Sequence, residues 1–340
     1  MPTRDDLRML LALPLEVKVL KTQQRIREWV QRYGVDGVYI SFSGGKDSTV
    51  LLHLVRELYP EIEAVFVNTG LEYPEIQRFV KTFDNVRILY PKKTFKQVIS
   101  EYGYPMISKE ISEVVYLVRK GSTYSYRLKR INGELIDKNG EKSRFNCEKY
   151  KPLLETDFIV AANCCSTMKK GPAKAYEHEF DRKPIIATMT EESMVREQAW
   201  LKTGCNGFDS PRPQSKPMSF WTEQDVLQYI KENNIQIASV YGEIIPEGGQ
   251  MTFEGCDCKL CTTGCKRTGC IFCGYGAHLE KGEGRFQRLK RTHPKQYNFC
   301  INGGAYDENG IWKPDNNGLG MGHVFDELNR LYGDDFIKYK

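Results

Sequence analysis

One turn constrains this chain more than any other stretch: Ser41-Phe42-Ser43-Gly44-Gly45-Lys46-Asp47-Ser48-Thr49, set between an apolar run and a helical one. Gly37-Val38-Tyr39-Ile40 reads as a short buried strand and Val50 to Val55 as a helix, so the two glycines fall on a strand-to-helix turn. Such a turn suits phosphate. Glycine lets the backbone approach an anion closely, the N–H groups of the first helical turn point at it, and Lys46 and Ser48 add charge and a hydroxyl.

The surrounding pattern extends the constraint to a fold. A helix over 14–33 leads into the first strand; Glu63 to Asn68 is a second buried strand, residues 74–83 a helix, and Val86 to Tyr90 a third strand. This βαβαβ order predicts an α/β fold, a doubly wound and mainly parallel sheet with helices on both faces. Ligands of such sheets bind beyond the carboxyl ends of the strands, so Ser41 to Ser48 and Asn68 to Glu72 are expected to face one cleft. Lys183 to Met189 reads as a further strand followed by a helix over 190–202, and Thr222 with Asp225 forms a capping box ahead of another helix. Residues 1–35 are then an N-terminal helical segment, 36–244 the nucleotide-binding domain, 245–300 a Cys-rich segment and 301–340 a C-terminal extension, whose last helix spans 323–332. Within the domain, 118–150 is a basic, turn-rich insertion in which Asn132-Gly133 and Asn139-Gly140 mark hairpin or loop turns.

Composition narrows the class. The chain has 40% hydrophobic and 27% charged residues, as globular domains do. It has no apolar run long enough to span a bilayer and no apolar core after its basic start, so the expected location is the cytoplasm, away from membranes. The net charge of +5 suits anionic ligands without by itself arguing nucleic acid. Eleven cysteines are many for a reducing compartment, where clustered thiols bind metal or do redox chemistry. Cys164 and Cys165 are adjacent, and Cys256, Cys258, Cys261, Cys265, Cys270 and Cys273 lie within 18 residues. Cys147, Cys205 and Cys300 stand alone and read as small buried hydrophobes.

Taken together, the motifs resemble a known family. Ser43-Gly44-Gly45-Lys46-Asp47-Ser48 resembles the PP-loop of the adenine nucleotide alpha-hydrolase-like superfamily. Five further elements narrow the match to the phosphoadenosine phosphosulfate (PAPS) reductase family. They are Val67 to Pro74, Cys164-Cys165 ahead of Met168 to Pro172, Glu192-Ser193 with Arg196, Pro217 to Ile230, and Gly269 to Cys273, all in order over residues 36–276. The resemblance implies an adenine nucleotide, ATP with Mg2+ or an adenylyl sulfate (PAPS or APS), gripped by Ser41, Ser43, Gly44, Gly45, Lys46, Asp47 and Ser48. Asn68, Thr69, Gly70 and Glu72 would lie by the adenosine. Lys46 would stabilise developing negative charge, with Ser48 as a hydroxyl donor. Asp47 either caps the helix or helps place the magnesium ion, and Arg196 either reaches a phosphate or sulfate or pairs with Glu192 one turn earlier.

In iron-sulfur members of the family a tandem Cys-Cys and a distant C-x-x-C hold a [4Fe–4S] cluster, which here implies Cys164, Cys165, Cys270 and Cys273. Lys169, Lys170, Lys266 and Arg267 would offset its charge. Cys256, Cys258, Cys261 and Cys265 end an apparent insertion. They form a separate structural Zn2+ site, or Cys261 or Cys265 replaces one of the tandem pair, or all four are free.

The activity implied divides on two features. Family reductases attack their substrate with a cysteine of a C-terminal E-C-G-[LI]-H motif, whereas the only thiol here after Cys273 is Cys300. The loop is also the complete form seen in members that split ATP between its α- and β-phosphates. Both imply cleavage of ATP to AMP and pyrophosphate to activate an acceptor, DNA or tRNA, for iron-sulfur-assisted sulfur transfer, with a separate sulfur or electron donor protein and oligomerisation both open. The alternatives are a sulfonucleotide reductase using Cys300, and a non-catalytic nucleotide- or nucleic-acid-binding subunit, the last suggested by the basic, aromatic stretches 119–130 and 285–295.

Overall fold

The computed structural model describes residues 2–249 and 259–340. The chain divides into two compact units: residues 2–68, 72–90, 172–249 and 259–268 build the first, and residues 69–71, 91–171 and 269–340 the second.

The first unit opens with α1 (Arg4–Leu11), capped reciprocally by Thr3 and Asp6, and α2 (Leu15–Tyr33). Then come β1 (Val38–Ser41), α3 (Lys46–Leu58), β2 (Ala64–Val67), α4 (Pro74–Val80) and β3 (Val86–Leu89). The chain next enters the second unit for α5 (Phe95–Tyr102), β4 (Met106–Ile107), α6 (Lys109–Arg119) and α7 (Ser125–Asn132). It returns through α8 (Gly171–Phe180), β5 (Lys183–Ile186), α9 (Met194–Thr203), β6 (Asn206–Gly207), β7 (Gln214–Ser215), α10 (Glu223–Glu232), β8 (Ile244–Pro246) and β9 (Leu260–Thr262). The second unit closes with β10 (Gly274–Tyr275), α11 (Arg285–Thr292), α12 (Pro294–Ile301), the hairpin of β11 (Ala305–Tyr306) and β12 (Trp312–Lys313), and α13 (Met321–Tyr332).

The first unit holds a six-stranded sheet of order β3-β2-β1-β5-β7-β6, parallel except for β6, and flanked by helices. Register is set by burial: Ile40 pairs with Ala64 on one side and with Ile185 on the other, all three fully buried. Tyr39 and Val65 pack with Tyr176 of α8 on one face, and the alternation of a strand turns Val38 and Ile40 to the other. α2 is tied to α10 by a largely buried ion pair, Lys18 Nζ to Asp225 Oδ2 at 2.7 Å, and to the segment just before α10 by a 2.8 Å bond from Trp221 Nε1 to Thr22 Oγ1. The strand order reverses at β1, whose neighbours β2 and β5 lie on opposite sides, so the loop after β1 sits at the switch point where doubly wound sheets bind ligands.

Two sequence expectations are corrected and a third stands. The helix expected over 190–202 is a 3-10 turn (Thr190–Glu192) and then α9, because Ser193 is extended and caps α9 by accepting a bond from Arg196 N. Asn132-Gly133 is not a hairpin turn: Gly133, at φ 77° and ψ 21°, is the left-handed cap that ends α7. Asn139-Gly140 does close a turn, bracketed by an antiparallel bridge between Ile136 and Lys142. Among the described residues no helix is long and apolar enough to cross a membrane.

Candidate functional site

In the first unit the loop after β1 is held by its own side chains. Ser43 Oγ lies 2.9 Å from Ser48 Oγ, Ser43 N donates to Ser48 Oγ at 3.2 Å, and Ser48 Oγ donates to Gly45 O at 2.9 Å. Gly44 has φ 70°, and a Cβ there would stand 2.7 Å from Val80 Cγ2 and 2.8 Å from Ile76 Cγ2, so conformation and packing both require glycine. Gly45 caps α3 without a side chain, which leaves the helix N-terminus and its partial positive charge to an anion.

The charges around this N-terminus come from remote parts of the chain. Lys46 is 4% exposed; its Nζ lies 2.9 Å from Glu223 Oε1 at the start of α10 and donates to Lys266 O at 2.9 Å. Its backbone N–H donates to Tyr241 OH at 3.2 Å, and that hydroxyl is 2.6 Å from Thr268 Oγ1. Asp47 keeps one buried oxygen, Oδ1, without a hydrogen bond, and lies 4.0 Å from Lys46 Nζ by that atom. Burial pushes its carboxyl above the ordinary 3.8; Lys46 opposes the shift, Glu223 adds to it, and Arg267 and Arg196 oppose it. Arg196 pairs with Glu192, whose carboxylate also meets Arg267 Nη1 at 3.5 Å. Burial lowers the Arg196 pKa, and the like charge of Arg267 lowers it further. Lys46, Arg196 and Arg267 are thus three cations around Asp47, matched by the carboxylates Glu223 and Glu192.

The other nucleotide candidates lie on the neighbouring strand ends. Ser41 is the last residue of β1, paired with Val65 and Ile186. Asn68 prolongs β2 by donating from its N–H to Leu89 O at 2.8 Å, and Glu72 is buried in the first unit. Thr69 and Gly70 belong to the second unit, where Thr69 Oγ1 accepts from Leu71 N at 3.2 Å and Gly70 has φ 74°. Glu223 and Tyr241 escaped the sequence reading. Lys266 and Arg267, expected to offset the charge of a cluster, instead belong to the first unit, where Lys266 O accepts from Lys46 and Arg267 meets Glu192. Only folding brings residues 177 to 221 positions downstream to Lys46.

In the second unit Cys164 and Cys165 enter a single π-type turn (Ser166–Lys170), and Cys270 and Cys273 lie on the turn before β10, where Cys273 N donates to Cys270 O at 3.1 Å. These four thiols line one cavity with Leu71, Phe95, Pro105, Met168 and Lys169. The hydrogen bond between Cys164 and Cys165 divides the pair: with burial it raises the Cys164 thiol, while that bond, and then Lys109 and Lys169, lower Cys165. Burial raises Cys273. Four thiols with two ammonium groups beside them are the donor chemistry of an iron-sulfur centre held by four cysteines, so the residues fit that group.

The remaining cysteines separate from this set. Cys261 lies in β9 and Cys265 is buried with its N–H on Val240 O at 2.9 Å; both belong to the first unit, and the thiol cavity is lined by the tandem pair itself rather than by either of them. Cys256 and Cys258 lie outside the described residues. Among the described residues, no three Cys, His, Asp or Glu side chains gather as ligands of one metal ion. Cys300 is fully buried in α12, with its Sγ 3.4 Å from Met321 Sδ, and burial holds its thiol well above the ordinary value. It has neither the access nor the thiolate that a nucleophile requires.

A doubly wound sheet with a glycine loop at its switch point and a buried lysine at the helix start defines an α/β protein of the class whose ligands bind beyond the strand ends at that point. Residues 37–115 match the model of the phosphoadenosine phosphosulfate reductase domain. The PAPS reductase of Xylella fastidiosa strain 9a5c is 30% identical over 236 residues, 69% of this chain and 78% of that enzyme. On these grounds the chain belongs to the PAPS reductase family. An uncharacterized protein of Methanocaldococcus jannaschii is 23% identical over 80% of this chain, which spans 50% of that protein's length. The match to the PAPS reductase of Xylella fastidiosa strain M23 is 30% identical and covers 44% of it. A crystal structure of PAPS reductase from Candida auris, in complex with phosphate, aligns over 70% of this chain and 91% of its own at a TM-score of 0.38 and 14% identity.

Proposed function

We propose that this member of the PAPS reductase family binds ATP at the loop Ser43 to Ser48 and cleaves it to AMP and pyrophosphate while activating an acceptor for sulfur transfer. The observation that carries the reading is the complete glycine loop with the Lys46 ammonium buried at the first turn of α3. Such a lysine is a fixed positive charge beside the phosphates, and needs no reorganisation as charge builds on the leaving pyrophosphate. Ser43 and Ser48 offer hydroxyls to the phosphate oxygens, and Arg196 and Arg267 supply further charge once Glu192 yields. The acceptor's oxygen attacks the α-phosphorus, forming the new O–P bond as the bond to the α–β bridging oxygen breaks. Pyrophosphate leaves with that electron pair, and the acceptor's proton passes to solvent. A donor of the hydrosulfide class then displaces AMP at the acceptor carbon or phosphorus. Asp47, with a buried oxygen lacking a hydrogen bond, fits a magnesium ion brought with ATP.

Cys164, Cys165, Cys270 and Cys273 would hold a [4Fe–4S] cluster, which when bound supplies iron with affinity for sulfur and one-electron chemistry. Lys109 and Lys169 offset its negative charge. The names of the relatives favour a second reading, reduction of an adenylyl sulfate to sulfite, in which Cys300 as placed here takes no part.

Anaerobic turnover of the purified protein with MgATP and, separately, with PAPS and a dithiol tests the two. Pyrophosphate from ATP without sulfite from PAPS is expected; sulfite from PAPS that survives Cys300→Ser would replace the ATP reading with the reductase.

A further inference from the structure

The second unit carries a surface that neither the glycine loop nor the thiol cavity uses. Residues 118–150 hold nine Lys and Arg against four Asp and Glu, a net +5 equal to that of the whole chain, so the remaining residues balance to zero. Within this segment Tyr124, Tyr126 and Phe145 are 58%, 41% and 46% exposed. The three rings are joined. Tyr124 and Tyr126 have centroids 6.2 Å apart, and Arg130 lies 5.7 Å over the Tyr126 ring while its Nε donates to Phe145 O at 2.7 Å. Arg127 stands 4.9 Å over Tyr124 and Arg144 5.1 Å over Phe145.

The charges divide into two kinds. Arg130 is buried, paired with Glu110 at 2.8 Å, and serves as the strut of the row. Among the described residues, Arg127, Lys129 and Arg144 form no ion pair, and Lys129 and Arg144 are exposed. An apolar protein partner would leave these cations without counter-charge, and a duplex keeps its base faces stacked away from the rings. An unpaired strand satisfies both, with phosphates on the cations and bases on the free ring faces and guanidinium planes.

We propose that the row Tyr124, Tyr126 and Phe145, with Arg127, Lys129 and Arg144, is a binding platform for single-stranded nucleic acid. Binding here stands apart from catalysis; that the bound strand is the sulfur acceptor rests on the ATP reading above.

The test is fluorescence anisotropy of a labelled unpaired oligonucleotide, as DNA and as RNA, and of its duplex, with intact protein and no nucleotide. Unpaired strands should bind more tightly than the duplex. The plot of log K against log salt should have a slope of about −2 if the three cations each neutralise one phosphate. Tyr124→Ala and Tyr126→Ala should each weaken binding about tenfold. Both rings are exposed, so circular dichroism should show the variants folded. Arg144→Glu should weaken binding and flatten the slope. Comparison of the DNA and RNA strands identifies the polymer. No binding at low salt, equal or tighter duplex binding, or tyrosine variants that bind like the parent would each overturn the platform. Because ATP is absent, loss of pyrophosphate release in the turnover assay leaves this result standing, and the converse also holds.

Discussion

At the residue scale, the loop lysine and its carboxylate partner make opposite predictions. Lys46→Ala removes the buried charge beside the phosphates, and turnover of ATP should fall about 10²- to 10³-fold in a pyrophosphate-release assay. Glu223→Gln removes the counterion that Lys46 holds in the absence of nucleotide. A pair of this exposure contributes about 1 kcal/mol, so MgATP should bind about fivefold more tightly by calorimetry. Weaker binding would instead make Glu223 part of the nucleotide site. Asp47 gives a pH signature. Its carboxyl is raised above 3.8, so the fold binds a proton there more readily than the unfolded chain and loses stability as pH rises through the folded value. Asp47→Asn should therefore be more stable than the parent at neutral pH. That advantage should shrink as pH falls toward 3.8, read from urea midpoints across the range.

At the element scale, α10 shows how one capping box serves both stability and site. Thr222 N and Oγ1 both donate to Asp225 Oδ2, Asp225 N donates to Thr222 Oγ1, and the same carboxylate oxygen accepts Lys18 of α2. Thr222→Ala should cost about 1 kcal/mol in urea unfolding, and by loosening the first turn that carries Glu223 it should also alter nucleotide affinity. This box, strands β1, β2, β3 and β5 and the loop after β1 were legible because each depends on residues close in sequence: hydrophobic runs, a T-x-x-D spacing, two glycines; β6 and β7, two residues each, carry no such run. The break at Ser193 was not, because a serine cap competes with helix continuation and periodicity does not register that competition. Of the two readings of Asn132-Gly133, the hairpin fails, because the same left-handed glycine that closes a hairpin also ends a helix and turns the chain into a loop. The charges at the PP-loop were legible only in half. Lys46 and Arg196 belong to local motifs, whereas Glu223, Tyr241 and Arg267 acquire their place at the loop only when α10, Tyr241 and residues 266–268 fold against it.

At the scale of the whole molecule, both units are assembled from discontinuous segments, and this ties the thiol set to the folding of the entire chain. Its tandem pair comes from the end of one excursion and its C-x-x-C pair from the start of the next, so the cavity exists only after the intervening residues 172–268 have been added. A fragment ending at Gly171 would hold β1 to β3 without β5, leaving β1, an inner strand of the sheet, as an unpaired edge, and it should aggregate rather than fold. The intact chain should bind iron by folding first. Reconstituted anaerobically, it should hold about four iron atoms per chain and absorb broadly in the visible region, with colour and iron both lost to air or chelator. Cys164→Ser, Cys165→Ser, Cys270→Ser and Cys273→Ser should each lower the iron content, because a cube of four irons needs a thiolate at each corner. Cys261→Ser, Cys265→Ser and Cys300→Ser should retain it, since none of those thiols lines the cavity. Zinc in place of iron, or iron lost from Cys261→Ser or Cys265→Ser but retained in the variants of the four cavity cysteines, would move the metal from the thiol cavity to the Cys-rich segment.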